Sequence, residues 1–76
     1  MEKVLSILEE IRPEFDFRSS RNFIQNGFLD SLDIITLVSM LDESFHISIN
    51  GIDIIPDNFE NIDSINKLIL KCGGTI

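Results

Sequence analysis

The chain has 76 residues, which is the length of one small domain. Its 13 acidic and six basic residues give a net charge of −7, and this argues against nucleic-acid binding, because contact with phosphates needs Lys and Arg. One cysteine excludes a disulfide framework, and no apolar run approaches the roughly 20 residues that span a bilayer. Met1-Glu2-Lys3 leads directly into an amphipathic pattern, which predicts no secretory leader. We therefore expect one domain over residues 1–76, soluble, cytoplasmic and monomeric, with a reduced thiol.

The first predicted helix is marked by apolar residues at i, i+3, i+4 and i+7, namely Val4, Ile7, Leu8 and Ile11. Pro13 ends this helix, because the residue before a proline is pushed out of the α region. Residues 13–30 show no sustained period, and we expect a long loop held on the core by its apolar side chains: Phe15, Phe17, Phe23, Ile24, Phe28 and Leu29. Ser19-Ser20 predicts the cap of a short helical turn through Ile24, and Asn26-Gly27 predicts a turn.

The central helix has the clearest start signal. Asp30 can cap the free N–H groups of the first turn, and Asp33 adds a second favourable charge. The helix is predicted to run to Phe45 on one apolar stripe, which consists of Ile34, Leu37, Val38, Leu41 and Phe45. His46 then ends it, at a position where positive φ is often needed.

In residues 46–51, polar and apolar side chains alternate as in a short strand, but the sequence predicts no second strand with which it could pair. We therefore expect an extended connector, then a short helical turn around Ile52–Ile55 that Pro56 stops. Asn61 is predicted to cap a last helix, Gly73-Gly74 to end it, and Thr75-Ile76 to form a frayed tail. The apolar stripe of this helix is Ile62, Ile65, Leu68, Ile69 and Cys72. The predicted fold is an all-α bundle of three main helices and one short helix, with a long loop between the first two.

Catalytic constellations are mostly absent from the sequence, and a Cys–His pair is possible only in principle. His46 and Cys72 are the only residues of their types and end different elements, and Cys72 fits the core stripe of its helix as a buried structural thiol. Neither the Asp53 nor the Asp57 region has the glycine that a calcium loop requires, and there is no glycine-rich phosphate loop. We expect neither an enzyme nor a metal site.

The acidic residues are unevenly placed. No Lys or Arg occurs from Asn22 to Asn66, whereas this stretch holds eight acids: Asp30, Asp33, Asp42, Glu43, Asp53, Asp57, Glu60 and Asp63. Two interpretations remain open at this point. The stretch is either a solvated surface that keeps the protein soluble, or a docking face that attracts basic partners.

Ser31 directly follows the capping Asp30, and local pattern alone makes it an ordinary serine of a first helical turn. The surrounding segment, Asn26-Gly27-Phe28-Leu29-Asp30-Ser31-Leu32-Asp33, resembles the modification site of acyl carrier proteins, in which Asp-Ser-Leu opens the second helix. The resemblance covers nearly the whole chain: its length, the order helix, long loop, helix, and the segments Asp42-Glu43-Ser44-Phe45 and Ile54-Ile55-Pro56-Asp57-Asn58-Phe59.

This resemblance implies a subtype. Peptidyl carriers usually read Gly-Gly-His/Asp-Ser, and fatty-acid carriers tend to have a more acidic central helix than one with Ile34, Thr36 and Ser39. Gly27-Phe28-Leu29-Asp30-Ser31 is more similar to the stand-alone carriers that resemble D-alanyl carrier proteins.

The resemblance also implies that Ser31 carries 4′-phosphopantetheine through a phosphodiester, with Asp30 flanking it as the helix cap. The thiol of this arm would hold acyl or aminoacyl cargo as a thioester. The implied partners are a phosphopantetheinyl transferase, an adenylating acyl or aminoacyl ligase, and a downstream acyltransferase or synthase. The alternative is a small acidic helical adaptor that binds a basic protein without modification.

Five residues of the central helix are candidates for partner docking: Leu32, Asp33, Met40, Asp42 and Glu43. At roughly 100° per residue, Leu32 and Met40 are predicted to project away from the apolar stripe. Carriers of the family are thought to seat the leucine after the serine in partner enzymes, and a methionine adapts to several partners. The simpler interpretation is that scattered exposed apolar residues are normal on any protein.

Overall fold

The computed structural model describes residues 2–75 of the chain. Over that range it contains three α-helices, which we call α1 (Glu2–Ile11), α2 (Ser31–Phe45) and α3 (Ile62–Lys71). Two 3₁₀ turns, Gly51–Asp53 and Pro56–Phe59, lie between α2 and α3, and the described residues form no strand. The all-helical prediction is confirmed, and the extra short helix corresponds to the two 3₁₀ turns.

The core lies where α1 packs on both α2 and α3. The predicted stripes supply most of it, since Leu8, Leu37 and Ile69 are fully buried. Phe45 and Cys72, at the ends of their stripes, are only partly buried. Five residues from outside the α-helices complete the buried core, namely Phe17, Phe23, Leu29, Ile49 and Phe59.

The long loop is held to the core by stacked aromatic rings and backbone hydrogen bonds. Phe15 stacks on Phe28 at 4.4 Å between centroids, and Phe17 meets Phe23 edge-on at 5.0 Å. The N–H of Phe23 donates to the carbonyl of Glu60 at 2.6 Å, which ties the middle of the loop to the segment before α3. The predicted attachment of the loop through its apolar residues is therefore confirmed.

The prediction of a short helical turn after Ser19-Ser20 is wrong. Residues 19–24 form turns and bends without a helix. The hydroxyl oxygen of Ser20 accepts from the N–H of Asn22 at 3.2 Å and from the side-chain amide of Asn26 at 2.8 Å, so its local bonds support a turn instead. The turn predicted at Asn26-Gly27 is present, with Gly27 at φ 77°.

Pro56 begins a 3₁₀ turn rather than stopping one. The proline occupies the first position of Pro56–Phe59, where its fixed φ suits a helical turn and its missing N–H is not needed. The preceding 3₁₀ turn is Gly51–Asp53, so Ile54 and Ile55 form a two-residue link between the two turns. The side-chain amide of Asn58 donates to the carbonyl of Asp53 at 2.7 Å and holds the two turns together.

Both ends of α3 follow the sequence prediction. Asn61 is the N-cap, and its side chain accepts from the N–H of Ser64 at 2.8 Å. Gly73 has φ 90°, and the N–H of Gly74 donates back to the carbonyl of Ile69 at 2.9 Å, which turns the chain over the end of the helix. Of the predicted frayed tail, Thr75 has no regular structure and Ile76 lies outside the described residues.

Candidate functional site

Ser31 is the first residue of α2 and its side chain is exposed. The helix start is fixed by a capping box: the N–H of Asp33 donates to Asp30 Oδ1 at 2.9 Å, and the N–H of Asp30 donates to Asp33 Oδ2 at 3.1 Å. Two otherwise unpaired N–H groups are thereby satisfied on either side of Ser31. The predicted cap is confirmed, and Ser31 lies on a helix end whose backbone is fixed from both sides.

Arg12, directly after α1, contacts the same capping box. Its Nε donates to Asp33 Oδ2 at 2.9 Å, and its Nη2 lies 3.4 Å from Asp30 Oδ2. Its Nη1 lies 3.5 Å from Glu14 Oε2, so one guanidinium forms ion pairs with three carboxylates. The hydrogen bond with Asp33 raises the pKa of Arg12, and the hydrogen bond from the N–H of Asp33 lowers the pKa of Asp30. The start of the long loop is thus tied to its end.

An apolar recess of about 220 Å³ opens beside Ser31. Its walls come from the first turns of α2 and from the link between the 3₁₀ turns, and they consist of Ser31, Ile34, Ile35, Ile54, Ile55 and Pro56. Ile35 is 62% exposed and Ile55 is 45% exposed, so the recess has apolar rims in contact with water. The arrangement offers an apolar ligand or partner a contact surface next to the exposed hydroxyl of Ser31.

The five candidate docking residues occupy different environments. Leu32 is 74% exposed, as predicted, and Glu43 is exposed on the same side of α2. The side chain of Asp33 is only 13% exposed, because it bonds Arg12 and the backbone of Asp30. Asp42 Oδ1 accepts from the N–H of Ile49 at 3.0 Å, so this carboxylate fixes the connector after α2.

The predicted projection of Met40 is wrong. Met40 is half-buried and packs against the core, whereas Leu32 does not. Met40 lies at the flank of the apolar stripe, and its long unbranched side chain can reach the core from there. Leu32 and Glu43 are therefore the two candidates with free side-chain surface.

His46 and Cys72 occupy structural positions. His46 is the C-cap of α2 at φ 55°, as predicted, and its N–H donates to the carbonyl of Asp42. Cys72 is the C-cap of α3, and it is half-buried rather than fully buried as expected. The last turn of α3 leaves its side chain at the margin of the core.

Sequence reasoning missed three parts of this site. Arg12 was assigned no role, although it is a base that directly follows a predicted helix and could have been paired with a later acid. Ile35 lies outside the apolar stripe of α2, which was the available signal that it is exposed. Ile54 and Ile55 were placed in a helical turn, and nothing in the local sequence indicated which helix they face.

No known family model, curated protein or solved structure matches this chain. None of the helices in residues 2–75 is long and apolar enough to cross a membrane. The fold and the site therefore define a small all-α protein in which an exposed serine begins a capped helix beside an apolar recess.

Proposed function

We propose that the protein is a carrier that holds acyl or aminoacyl intermediates as thioesters on a 4′-phosphopantetheine arm attached to Ser31. The observation that carries this proposal is the position of Ser31, which is exposed at the capped start of the 15-residue helix α2. This placement agrees with the resemblance of Asp30-Ser31-Leu32 and its flanking segments to acyl carrier proteins.

The proposed modification is a transfer of phosphopantetheine from coenzyme A. Ser31 Oγ forms a new bond to phosphorus, the pyrophosphate bond of coenzyme A breaks, and adenosine 3′,5′-bisphosphate leaves. The hydroxyl proton goes to a base of the transferase, because the groups nearest to Ser31 along the chain are the ion-paired carboxylates of Asp30 and Asp33. The transferase also supplies the metal for this step.

The start of α2 favours the product of this reaction. A phosphodiester on the first helical residue lies at the positive end of the helix dipole, where negative charge is stabilised. The flexible arm keeps its thioester near the protein surface, so a docked enzyme meets the cargo at high effective concentration. Exposed Leu32 and the rims of the recess supply apolar contact for such an enzyme.

The proposed partners follow from the same chemistry. A phosphopantetheinyl transferase adds the arm, an adenylating acyl or aminoacyl ligase loads its thiol, and a downstream acyltransferase or synthase accepts the cargo. We place the protein nearest to stand-alone carriers of the D-alanyl type, because Gly27-Phe28-Leu29-Asp30-Ser31 is similar to their modification segment. In this proposal the protein itself catalyses no reaction.

The alternative function is an acidic adaptor that binds a basic protein without modification. It is favoured by exposed carboxylates that make no ion pair among the described residues, such as Glu43, Asp57 and Asp63. An adaptor of this kind needs no serine at the start of α2, so the two functions differ in one covalent change.

Intact-mass measurement separates the two functions. Coexpression with a broad-specificity phosphopantetheinyl transferase should add the mass of one arm to the wild-type protein and to Ser39→Ala, which removes another exposed serine of α2. Ser31→Ala should gain nothing while keeping its fold, because Asp30 retains the cap. A wild-type protein that stays unmodified, or a Ser31→Ala protein that gains the arm, would contradict the proposal.

A further inference from the structure

The three ion pairs of Arg12 are unequal. Its Nε pairs with Asp33 at 2.9 Å, and that carboxylate is only 13% exposed, so this contact is anchored inside the capping box. The contacts with Asp30 at 3.4 Å and Glu14 at 3.5 Å are longer, and both carboxylates are more than half exposed. Exposed ion pairs contribute little to stability, so these two contacts can be exchanged at low cost.

We infer that Arg12 is the positioning residue for the phosphodiester on Ser31, an inference that rests on the proposed function. Its Nε stays on Asp33, while its Nη2 leaves Asp30 and donates to a phosphate oxygen. Ser31 directly follows Asp30 in the chain, so their Cα atoms lie about 3.8 Å apart, and the phosphate is attached one residue away from the carboxylate that Nη2 now contacts. A guanidinium suits the role because its planar donors match phosphate geometry.

The charges around Arg12 explain why its Nη2 exchanges Asp30 for the phosphate. One guanidinium already faces three carboxylates, from Glu14, Asp30 and Asp33, so the attached phosphodiester adds a fourth negative charge to the cluster. Without Arg12, the charged side chains of this cluster would be the carboxylates of Glu14, Asp30 and Asp33, which all repel a phosphate. Arg12 thus offsets an added repulsion that the unmodified protein lacks.

A purely structural role of Arg12 predicts a different result. As a tie between the start and the end of the long loop, Arg12 would stabilise the unmodified and the modified protein equally. As a phosphate ligand, it stabilises the modified protein more. A double-mutant cycle between modification and substitution isolates this difference.

The experiment compares unmodified and phosphopantetheine-bearing wild type, Arg12→Gln, Arg12→Lys and Lys71→Gln by urea unfolding. Lys71→Gln is the matched control, because it removes the ion pair of Lys71 with Asp53 at 2.8 Å in a different part of the molecule, and the Asp53 side chain is 13% exposed like that of Asp33. Arg12→Gln should raise the unfolding equilibrium constant of the modified protein about two- to fivefold more than that of the unmodified protein, as expected for an exposed ion pair. Lys71→Gln should affect both forms equally.

The ³¹P resonance of the modified protein gives a second readout. In Arg12→Gln this resonance should move toward its position in the urea-unfolded protein. In Arg12→Lys it should lie between the wild-type and Arg12→Gln positions, because lysine keeps the positive charge but lacks the planar, paired N–H donors of a guanidinium. Equal losses in both forms together with an unchanged ³¹P resonance would overturn the role of Arg12 and leave the carrier function standing. Failure of the wild type to gain the arm would overturn both.

Discussion

Truncation of Leu32 is the sharpest test of the surface around Ser31. Full burial of a leucine side chain stabilises a protein by about 1.5–3 kcal/mol. Leu32 is 74% exposed, so only about a quarter of this, roughly 0.4–0.8 kcal/mol, is at stake in Leu32→Ala. The higher helix propensity of alanine returns a small part of that loss.

Two other leucines calibrate this expectation. Leu37, fully buried on the same helix, should lose roughly 2–5 kcal/mol on truncation to alanine. Leu70 is 57% exposed on α3 and is the control for loss of an exposed leucine away from Ser31. Because 1 kcal/mol shifts the midpoint of a domain of this size by about 4–8 °C, Leu32→Ala should melt within about 6 °C of wild type.

The kinetic effect of Leu32→Ala should be larger than its effect on stability. Loss of an apolar contact with the transferase should lower kcat/KM for arm transfer about tenfold, which corresponds to about 1.4 kcal/mol of transition-state stabilisation. The assays are a thermal melt by circular dichroism and a modification time course by intact mass, with Leu70→Ala expected to react at the wild-type rate. A melting point as low as that of Leu37→Ala would place Leu32 in the core, and an unchanged time course would remove it from the interface.

Three further predictions concern two acidic residues of α2 and its acidic N-cap. Glu43→Lys should slow modification by lowering the association rate with the transferase, and the difference in rate from wild type should shrink as the salt concentration rises. Its melting point should be unchanged. Modification rates that do not respond to the charge reversal or to salt would favour a merely solvated surface. Asp33→Asn should instead lower stability at neutral pH by about 1 kcal/mol or more, because Asp33 serves both the capping box and Arg12; an unchanged melting point would refute this. The folded pKa of Asp30 is depressed by the hydrogen bond from the N–H of Asp33, so its contribution to stability is fully present above the unfolded pKa and is lost as pH falls through the lower folded pKa. In an acid titration, the stabilities of wild type and Asp30→Asn should therefore converge only as pH falls from the unfolded pKa through the folded pKa.

The fold was predictable where local chemistry and helical period coincide. Asp30 and Asn61 are capping residues that immediately precede apolar stripes, so the starts of α2 and α3 could be placed to the residue. His46 was predicted as the end of α2, and it has the expected positive φ. In these cases the residue that decides the structure acts on its own neighbours in the chain.

The errors occur where individual side-chain contacts, and not the helical period, decide the structure. The hydroxyl oxygen of Ser20 accepts a hydrogen bond from the side-chain amide of Asn26 within a turn. The helical period of the sequence does not reveal such a contact. Met40 reached the core because its side chain is long, although its helical position is off the stripe. The contact between Arg12 and Asp33 spans 21 positions, so no local pattern could pair them.

The backward turn at Gly74 limits where another polypeptide can be joined to this domain. A Cβ atom at Gly74 would come within 2.7 Å of the side chain of Ile69 and 3.0 Å of that of Ile47, so this position has no room for a larger residue. A junction that puts any other residue at this position forces the two isoleucine side chains or the turn itself to shift, so such a fusion would lose part of the packing at the end of α3.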